Sequence, residues 1–238
     1  MHFLFTLLVF SCSVMAQTDP LSHKKGIVFG LGGTISPYTF PADFDGTDKE
    51  KLSDKAILYG GVVQLGYDVV LFNRLLFGLR AEGMSADTMD VGNKSENILR
   101  GKSRATNALL RSGVLFETKF FDPVGDPARM ILEIFVEGGI TSGHRSFSKQ
   151  FGGGLITDEY VDNLEEEYQG SVLTGGLNLT AKKGAFFELK FTHTNITNTR
   201  QQFSGQKIEN GGAVTPTDRV LDEKESFTTF LMVMGLHF

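Results

Sequence analysis

Two carboxylates in one apolar stretch, Glu133 and Glu137, are the first residues of this 238-residue chain whose types and spacing suggest chemistry. A carboxylate pair can act as general acid and general base. On a β-strand, positions i and i+4 lie about 13 Å apart at roughly 3.3 Å per residue. That separation is too large for a shared proton or for the carboxylate pair of a glycosidase. The pair therefore indicates a structural role.

The residue pattern gives little support for a metal site or a phosphate-binding site. His144, His193 and His237 fall on different predicted strand ends or loops and form no His-x-His or His-Glu-x-x-His motif. The acidic run at 158–167 lacks the Gly-centred spacing of an EF-hand loop, and the glycine run at 152–154 lacks the lysine and helix of a phosphate loop. We expect no cofactor and no metal centre, with recruitment of divalent cations at acidic loops left as an open alternative.

Composition excludes other classes. The chain is 41% hydrophobic and 21% charged, which is typical of a folded protein. Lys and Arg number 23 against 28 Asp and Glu, and no basic stripe interrupts the acidic balance, so nucleic acid is not an expected partner. No internal run of 18 apolar residues exists, so the sequence predicts no transmembrane helix.

The N-terminus has the pattern of an export signal. Residues 3–10 are almost wholly apolar, and Val14-Met15-Ala16 forms a plausible signal-peptidase site. We therefore predict a signal peptide at 1–16, a short periplasmic segment at 17–24 and one domain at 25–238. Cleavage would remove Cys12, the one cysteine, unless a lipobox-like Val9-Phe10-Ser11-Cys12 leaves it lipidated instead.

The elements that must position the charged residues are β-strands, because apolar residues recur with period two along most of the chain. Short connections at 71–73, 122–127 and 182–184 alternate with long polar ones at 37–54, 86–103, 143–167 and 197–225. This alternation predicts an all-β fold, an eight-stranded antiparallel up-and-down barrel with both termini at the end of the tight turns. The predicted strands are 25–36, 55–70, 74–85, 104–121, 128–142, 168–181, 185–196 and 226–238.

Each predicted strand has one apolar and one mainly polar face, and two barrels fit that alternation. A lipocalin-like barrel puts the apolar face inside, whereas an outer-membrane barrel turns it toward lipid. Many glycines, such as Gly66, Gly78 and Gly113, share the polar face with long charged side chains. Glycine makes room inside a crowded eight-stranded lumen, and each strand is long enough to cross a bilayer. We therefore expect the polar face inside.

The last strand, 227–238, reads FTTFLMVMGLHF and ends on an aromatic residue. It resembles the closing strand of bacterial outer-membrane β-barrel proteins, and the chain looks most like the small eight-stranded OmpA/OmpX-type barrels. The resemblance implies location in the bacterial outer membrane, short periplasmic turns and long extracellular loops. It also implies contact with lipids and lipopolysaccharide, and an assembly signal in Phe230 and Phe238.

On this interpretation the polar faces meet in the lumen as a nearly neutral, salt-bridged filling that plugs the barrel, because buried charges are costly unless paired. We expect a non-enzymatic structural or surface-interaction protein acting through its loops, with a narrow porin-like solute or ion pore as the alternative. The predicted lumen charges are Asp68, Arg74, Arg80, Glu82, Arg111, Glu117, Lys119, Glu133, Glu137, Glu188 and Lys190.

A third hypothesis is an enzyme at the outer wall. Residues 191–198, FTHTNITN, are similar to the lipid A deacylase barrels, in which a His-x-Ser pair on the outer wall hydrolyses an acyl ester. His193 has the outward parity, but the residue two positions later is Asn195, which cannot act as the nucleophile. The hydrolase therefore ranks below the structural role and the pore.

Overall fold

A computed structural model of the chain describes residues 24–39, 55–88, 97–119, 129–151, 159–181, 184–208, 214–216, 219–221 and 226–238. The predicted signal peptide and the rest of the N-terminal segment before Lys24 lie outside these residues. The described residues form ten strands: β1 Gly26–Thr39, β2 Lys55–Leu71, β3 Leu75–Thr88, β4 Asn97–Lys119, β5 Arg129–Phe151, β6 Glu159–Thr180, β7 Ala185–Ile208, β8 Val214–Pro216, β9 Arg219–Leu221 and β10 Ser226–His237.

The eight long strands close into a ring. Strands β1 to β7 pair antiparallel, each with the next along the chain, and β10 pairs with both β7 and β1. The short strands β8 and β9 pair with the far end of β7. Phe238 completes the seam, because its backbone N–H donates to Ile27 O over 2.8 Å. The predicted eight-stranded up-and-down barrel is confirmed.

Two tight turns lie at the same end of the barrel as the termini. Phe72 and Asn73 are the central residues of the turn Leu71–Arg74 between β2 and β3, and their φ values of 53° and 57° are the positive values that match the twist of a hairpin. Gly184 joins β6 to β7 with φ of 79°, and its N–H donates to Ala181 O over 3.0 Å. Glycine adopts such a φ without steric cost. The third predicted turn, at 122–127, lies outside the described residues.

Four neighbouring strands are longer than predicted, and this corrects the assignment of residues 97–103, 143–151, 159–167 and 197–208 to loops. β4, β5, β6 and β7 contain 23, 23, 22 and 24 residues, against 14 in β1 and β3 and 12 in β10. The polar composition of these stretches is explained by their outer faces. Their inward residues, such as Phe147 and Leu164, remain buried. We call the far ends of these strands, 97–106, 142–151, 159–169 and 198–208, the extension.

The apolar face of the barrel wall points outward. Ile134 and Val136 are 51% and 57% exposed, whereas Phe135 between them is 2% exposed. A surface of this kind is stable against lipid and not against water. No helix among the described residues is long or apolar enough to cross a bilayer. The apolar belt comprises Ile27, Phe29, Val63, Leu65, Val69, Phe77, Leu79, Leu110, Val114, Ile134, Val136, Ile140, Leu173, Leu177, Phe191, Met232 and Met234.

Inward glycines leave room for long side chains to lie against the inner surface of the barrel wall, as the sequence pattern predicts. A Cβ atom built on Gly113 would run into the side chain of Glu133, and one built on Gly143 would run into Tyr168. An outward glycine on the same strand, Gly138, has open space at that position. The lumen is therefore packed to the backbone at these points.

Candidate functional site

Arg111 is the centre of the charged lumen. It extends from β4 toward three carboxylates, with Nε 2.8 Å from Glu133 Oε1 and Nη1 3.0 Å from Glu137 Oε1 and 2.7 Å from Glu188 Oε2. Its guanidinium carbon also lies 3.4 Å from the ring centroid of Phe135. A planar guanidinium can make these in-plane hydrogen bonds and stack on a ring at the same time.

Lys190 on β7 belongs to the same layer of lumen charges as Arg111, which we call the first layer. Its Nζ lies 2.6 Å from Glu82 Oε1, 3.0 Å from Glu137 Oε2 and 3.0 Å from Glu188 Oε1. Asn107 Nδ2 donates to the other oxygen of Glu82 over 3.1 Å. Glu137 and Glu188 are thus shared by Arg111 and Lys190, so the two cations belong to one network.

A second layer lies nearer the end of the barrel that carries the tight turns. Arg80 binds Asp68 with both terminal nitrogens, over 2.6 and 2.7 Å. Lys24, which precedes β1, extends its side chain into the lumen, where Nζ donates to Glu133 Oε2 and Asn178 Oδ1, each over 2.7 Å. Glu133 therefore links this layer to Arg111.

The nine groups of these two layers, which we call the lumen network, are almost completely out of contact with solvent. Each residue is at most 3% exposed. Because an isolated buried charge costs several kcal/mol, only mutual pairing makes this arrangement stable. The members are the cations Lys24, Arg80, Arg111 and Lys190 and the carboxylates Asp68, Glu82, Glu133, Glu137 and Glu188.

A separate polar cluster lies in the lumen of the extension. Arg145 Nη1 lies 3.2 Å from Glu166 Oε2, and the Arg145 guanidinium is stacked 4.6 Å from the ring centroid of Tyr168 and 3.9 Å from that of Phe227. Gln201 Nε2 donates to Glu166 Oε1 over 3.1 Å. This cluster continues the polar interior of the barrel beyond the apolar belt.

Three residues predicted to carry lumen charge lie elsewhere or are not described. Arg74 is exposed in the β2–β3 turn, and Glu117 is exposed near the end of β4. Both have the inward parity, but the lumen ends before them in an apolar cluster of Val70, Leu76, Leu115 and Ile131, so their side chains reach water at the rim. Lys119 is the last residue of β4, and its side chain lies outside the described part of the chain.

The described part of the acidic run at 158–167 is a strand and not a loop, and recruitment of divalent cations at acidic loops stays a prediction. This part of the run lies on β6, where Glu165 and Glu167 point outward and Glu166 points inward to Arg145. Strand alternation separates the carboxylates onto two faces. The described residues contain no group of three or more His, Cys, Asp and Glu side chains arranged to hold a metal ion.

His193, the residue of the hydrolase hypothesis, is exposed on the outer wall. Its cross-strand partners are Leu173 on β6 and Thr228 on β10. Neither is a carboxylate that could orient the imidazole as general base. Phe230 and Phe238, the residues of the predicted assembly signal, both lie on β10 or at its end, with Phe230 5.1 Å from Phe191 between ring centroids.

Three site residues were missed by the sequence analysis, although a usable signal was present. Lys24 continues the inward parity of β1 by two positions beyond Gly26. Arg145 continues the series of Glu133 and Glu137 on β5, and Glu166 continues the inward parity of β6. Each lies past the strand end that the polar composition predicts, although the alternation of inward and outward residues continues there.

Comparisons with known proteins do not assign the fold, which rests on the structure of this chain. No protein-family model matches the sequence, and the curated proteins give no match. Among solved structures, Ail of Yersinia pestis is similar with 9% identity and a TM-score of 0.48, covering 90% of this chain and 99% of that one. OprG of Pseudomonas aeruginosa shows 14% identity, a TM-score of 0.43 and coverage of 92% and 100%.

A major outer membrane protein of Thermus thermophilus shows 9% identity and a TM-score of 0.41, covering 89% of this chain and 99% of that one. Similarity at this level carries no argument about function. The assignment rests on strand pairing, an outward apolar belt and a buried lumen network. The chain folds as an eight-stranded transmembrane β-barrel of the outer-membrane type.

Proposed function

We propose that this chain is an integral protein of the bacterial outer membrane whose closed barrel anchors the extension at the cell surface, where it makes structural or surface contacts. The observation that carries this proposal is the lumen network, in which nine ionisable groups at most 3% exposed fill the barrel at the level of the apolar belt. Charges packed in this way support anchoring rather than passage of solutes.

The extension supports the part of the proposal that concerns contacts at the cell surface. The far ends of β4 to β7 remain paired beyond the apolar belt, with buried Phe147 and Leu164 on the inner side. A paired sheet with a packed inner face presents a fixed outer surface, which suits recognition better than a loop without internal contacts.

Cysteine labelling on whole cells tests placement and orientation together. We expect Gln202→Cys, on the extension, to react with a membrane-impermeant maleimide, and Lys25→Cys, at the turn end, to react only after the outer membrane is opened. Both positions are exposed, so access to the reagent is the one difference between them. Labelling of Lys25→Cys but not Gln202→Cys on intact cells would reverse the orientation and overturn the proposal.

Osmotic swelling of proteoliposomes tests the alternative of a narrow pore. The parent protein should give no faster entry of a small sugar than empty liposomes, because buried, mutually paired side chains of the lumen network occupy the lumen. Rapid swelling that depends on folded protein would favour the pore instead.

A further inference from the structure

Three basic residues stand in a row on the outer face of β4. Arg100, Lys102 and Arg104 alternate along the strand, and all three are exposed. We call them the basic ladder. Since successive residues of a strand point to opposite faces, these three side chains all point away from the lumen.

The basic ladder has no internal counter-charge in the described structure. None of its three side chains forms an ion pair with another described residue, although Asp87 lies opposite Lys102 on β3. This contrasts with Arg80, Arg111, Lys190 and the other cations of the lumen network, each of which has a carboxylate within 3.0 Å. The ladder is therefore free to bind an external anion.

The surroundings of the ladder leave room for such an anion. On β5 the residues opposite Arg100, Lys102 and Arg104 are Ser148, Ser146 and His144, so the neighbouring outward side chains carry hydroxyls or an imidazole. None of these three β5 residues is a carboxylate. The nearest outward acidic residues on that side, Glu165 and Glu167, lie one strand further on, opposite Ser146 and His144.

The ladder is continuous with the surface that faces lipid. Toward the turn end, the same face of β4 continues through Thr106 and Ala108 to Leu110, which is 67% exposed in the apolar belt. Arg104 is six residues from Leu110, about 20 Å along the strand at roughly 3.3 Å per residue, and less along the membrane normal because barrel strands are tilted. A long Arg or Lys side chain at that height reaches the headgroup layer.

We propose that the basic ladder binds the phosphate groups of the phosphorylated lipids that surround the barrel in the outer leaflet. Arg pairs with phosphate through two parallel hydrogen bonds, and Lys adds a point charge. The apolar belt below the ladder holds the acyl chains of the same lipid. This inference rests on the proposed function only in placing the extension at the outer leaflet.

Native mass spectrometry of the folded protein in neutral detergent tests the proposal, with bisphosphorylated lipid A as the probe and a neutral glycolipid of matched acyl content as its control. The parent should retain lipid A in preference to the neutral lipid. Because each basic residue at an anionic surface contributes about fivefold in binding, Lys102→Gln/Arg104→Gln should retain it about 25-fold more weakly. Inorganic phosphate at the same phosphoryl concentration should not compete, since it lacks acyl chains.

Two further variants keep the result interpretable. Lys25→Gln/Arg74→Gln removes one Lys and one Arg, both exposed, at the turn end of the barrel, and should retain lipid A like the parent. Lys102→Arg/Arg104→Lys exchanges the side chains, conserves charge and should retain most of the binding. Heat-modifiable gel mobility checks that every variant is folded.

Equal loss of lipid A in the ladder variant and the turn-end variant would overturn the proposal, and so would retention of lipid A by the folded ladder variant at the parent's level. Competition by inorganic phosphate would also overturn it, because the ladder would then be a site for a free anion. Since this assay is done in detergent and measures no solute passage, a conducting lumen would refute the proposed function and leave the lipid result standing.

Discussion

Lys24 Nζ lies 2.7 Å from Glu133 Oε2, although 109 positions separate the two residues. Lys24 precedes β1 and Glu133 lies on β5, which is on the opposite side of the strand ring. The ion pair therefore crosses the lumen and ties the N-terminal end of the domain to the far wall. It also gives Glu133 a second cation besides Arg111.

Replacing Lys24 should weaken the whole barrel. Lys24→Met removes the cation from Glu133 Oε2 and one of the two donors to Asn178 Oδ1, at a site with no solvent exposure. Loss of one partner of a buried pair costs about 3–5 kcal/mol. Urea unfolding followed by circular dichroism in lipid vesicles measures the change. The neighbour Lys25 is exposed, so Lys25→Met should change stability by well under ~1 kcal/mol. Equal effects of the two substitutions would contradict the cross-lumen pair.

Arg111 and Arg74 provide a second matched comparison. Both have the inward parity, but Arg111 contacts three carboxylates and Arg74 is exposed in a turn. Arg111→Met should therefore cost about 3–5 kcal/mol, and more if Glu133, Glu137 and Glu188 stay ionised. Arg74→Met should be close to neutral. The temperature at which half of each variant shifts to the mobility of the unfolded protein on a gel measures the stability of both variants. A stable Arg111→Met barrel would mean that the network is not needed for packing.

A charge placed in the apolar belt should be costly. Ile134 is 51% exposed on the outer face of β5, so Ile134→Arg puts a guanidinium against the acyl chains. The expected cost is about 2–4 kcal/mol if the site lies near the bilayer midplane. His144 is outward on the same strand in the extension, and His144→Arg should fold into vesicles as stably as the parent. Equal stability of both variants would mean that the apolar face does not contact lipid.

Two adjacent glycines on β5 should respond in opposite ways to alanine. A Cβ on Gly139 would run into the backbone of Ala108 on β4, which cannot move without opening the sheet, whereas a Cβ on Gly138 meets open space. Gly139→Ala should therefore destabilise the barrel by about 1–3 kcal/mol, as overpacking does. Gly138→Ala should be neutral or slightly stabilising, because alanine restricts the unfolded chain more than glycine. Thermal unfolding of the two variants measures both changes in stability. A larger loss for Gly138→Ala than for Gly139→Ala would refute the close approach of β4 to β5 at Gly139.

Alternation of residue types predicts the faces of this barrel, since a strand has only two sides. Glu133, Glu137 and Glu188 were assigned to the lumen on parity alone, and the structure places all three there. Parity carries no information about depth, however. Glu117 has the same parity as Arg111 and still reaches water, because the lumen ends at Leu115 in the apolar cluster of the turn end.

Strand ends are less predictable, because they depend on the environment outside the wall. Arg145 and Glu166 lie in stretches whose outward residues are polar, a composition that also fits a loop. Pairing of β5 with β6 continues there because the inward residues still pack, as buried Phe147 and Leu164 demonstrate. The partners of each charge depend on strand register, which single-sequence alternation does not specify.

Conductance of the parent protein in a planar lipid bilayer tests the central claim, that the lumen network closes the barrel. Lys190, Arg111 and the carboxylates they bind are at most 3% exposed, so the account predicts no steady current above that of the bare bilayer at neutral pH. Arg111→Met in the same assay shows whether a weakened network leaks. Steady, ion-selective conductance by the unmodified protein would contradict the claim and make a narrow pore the better description.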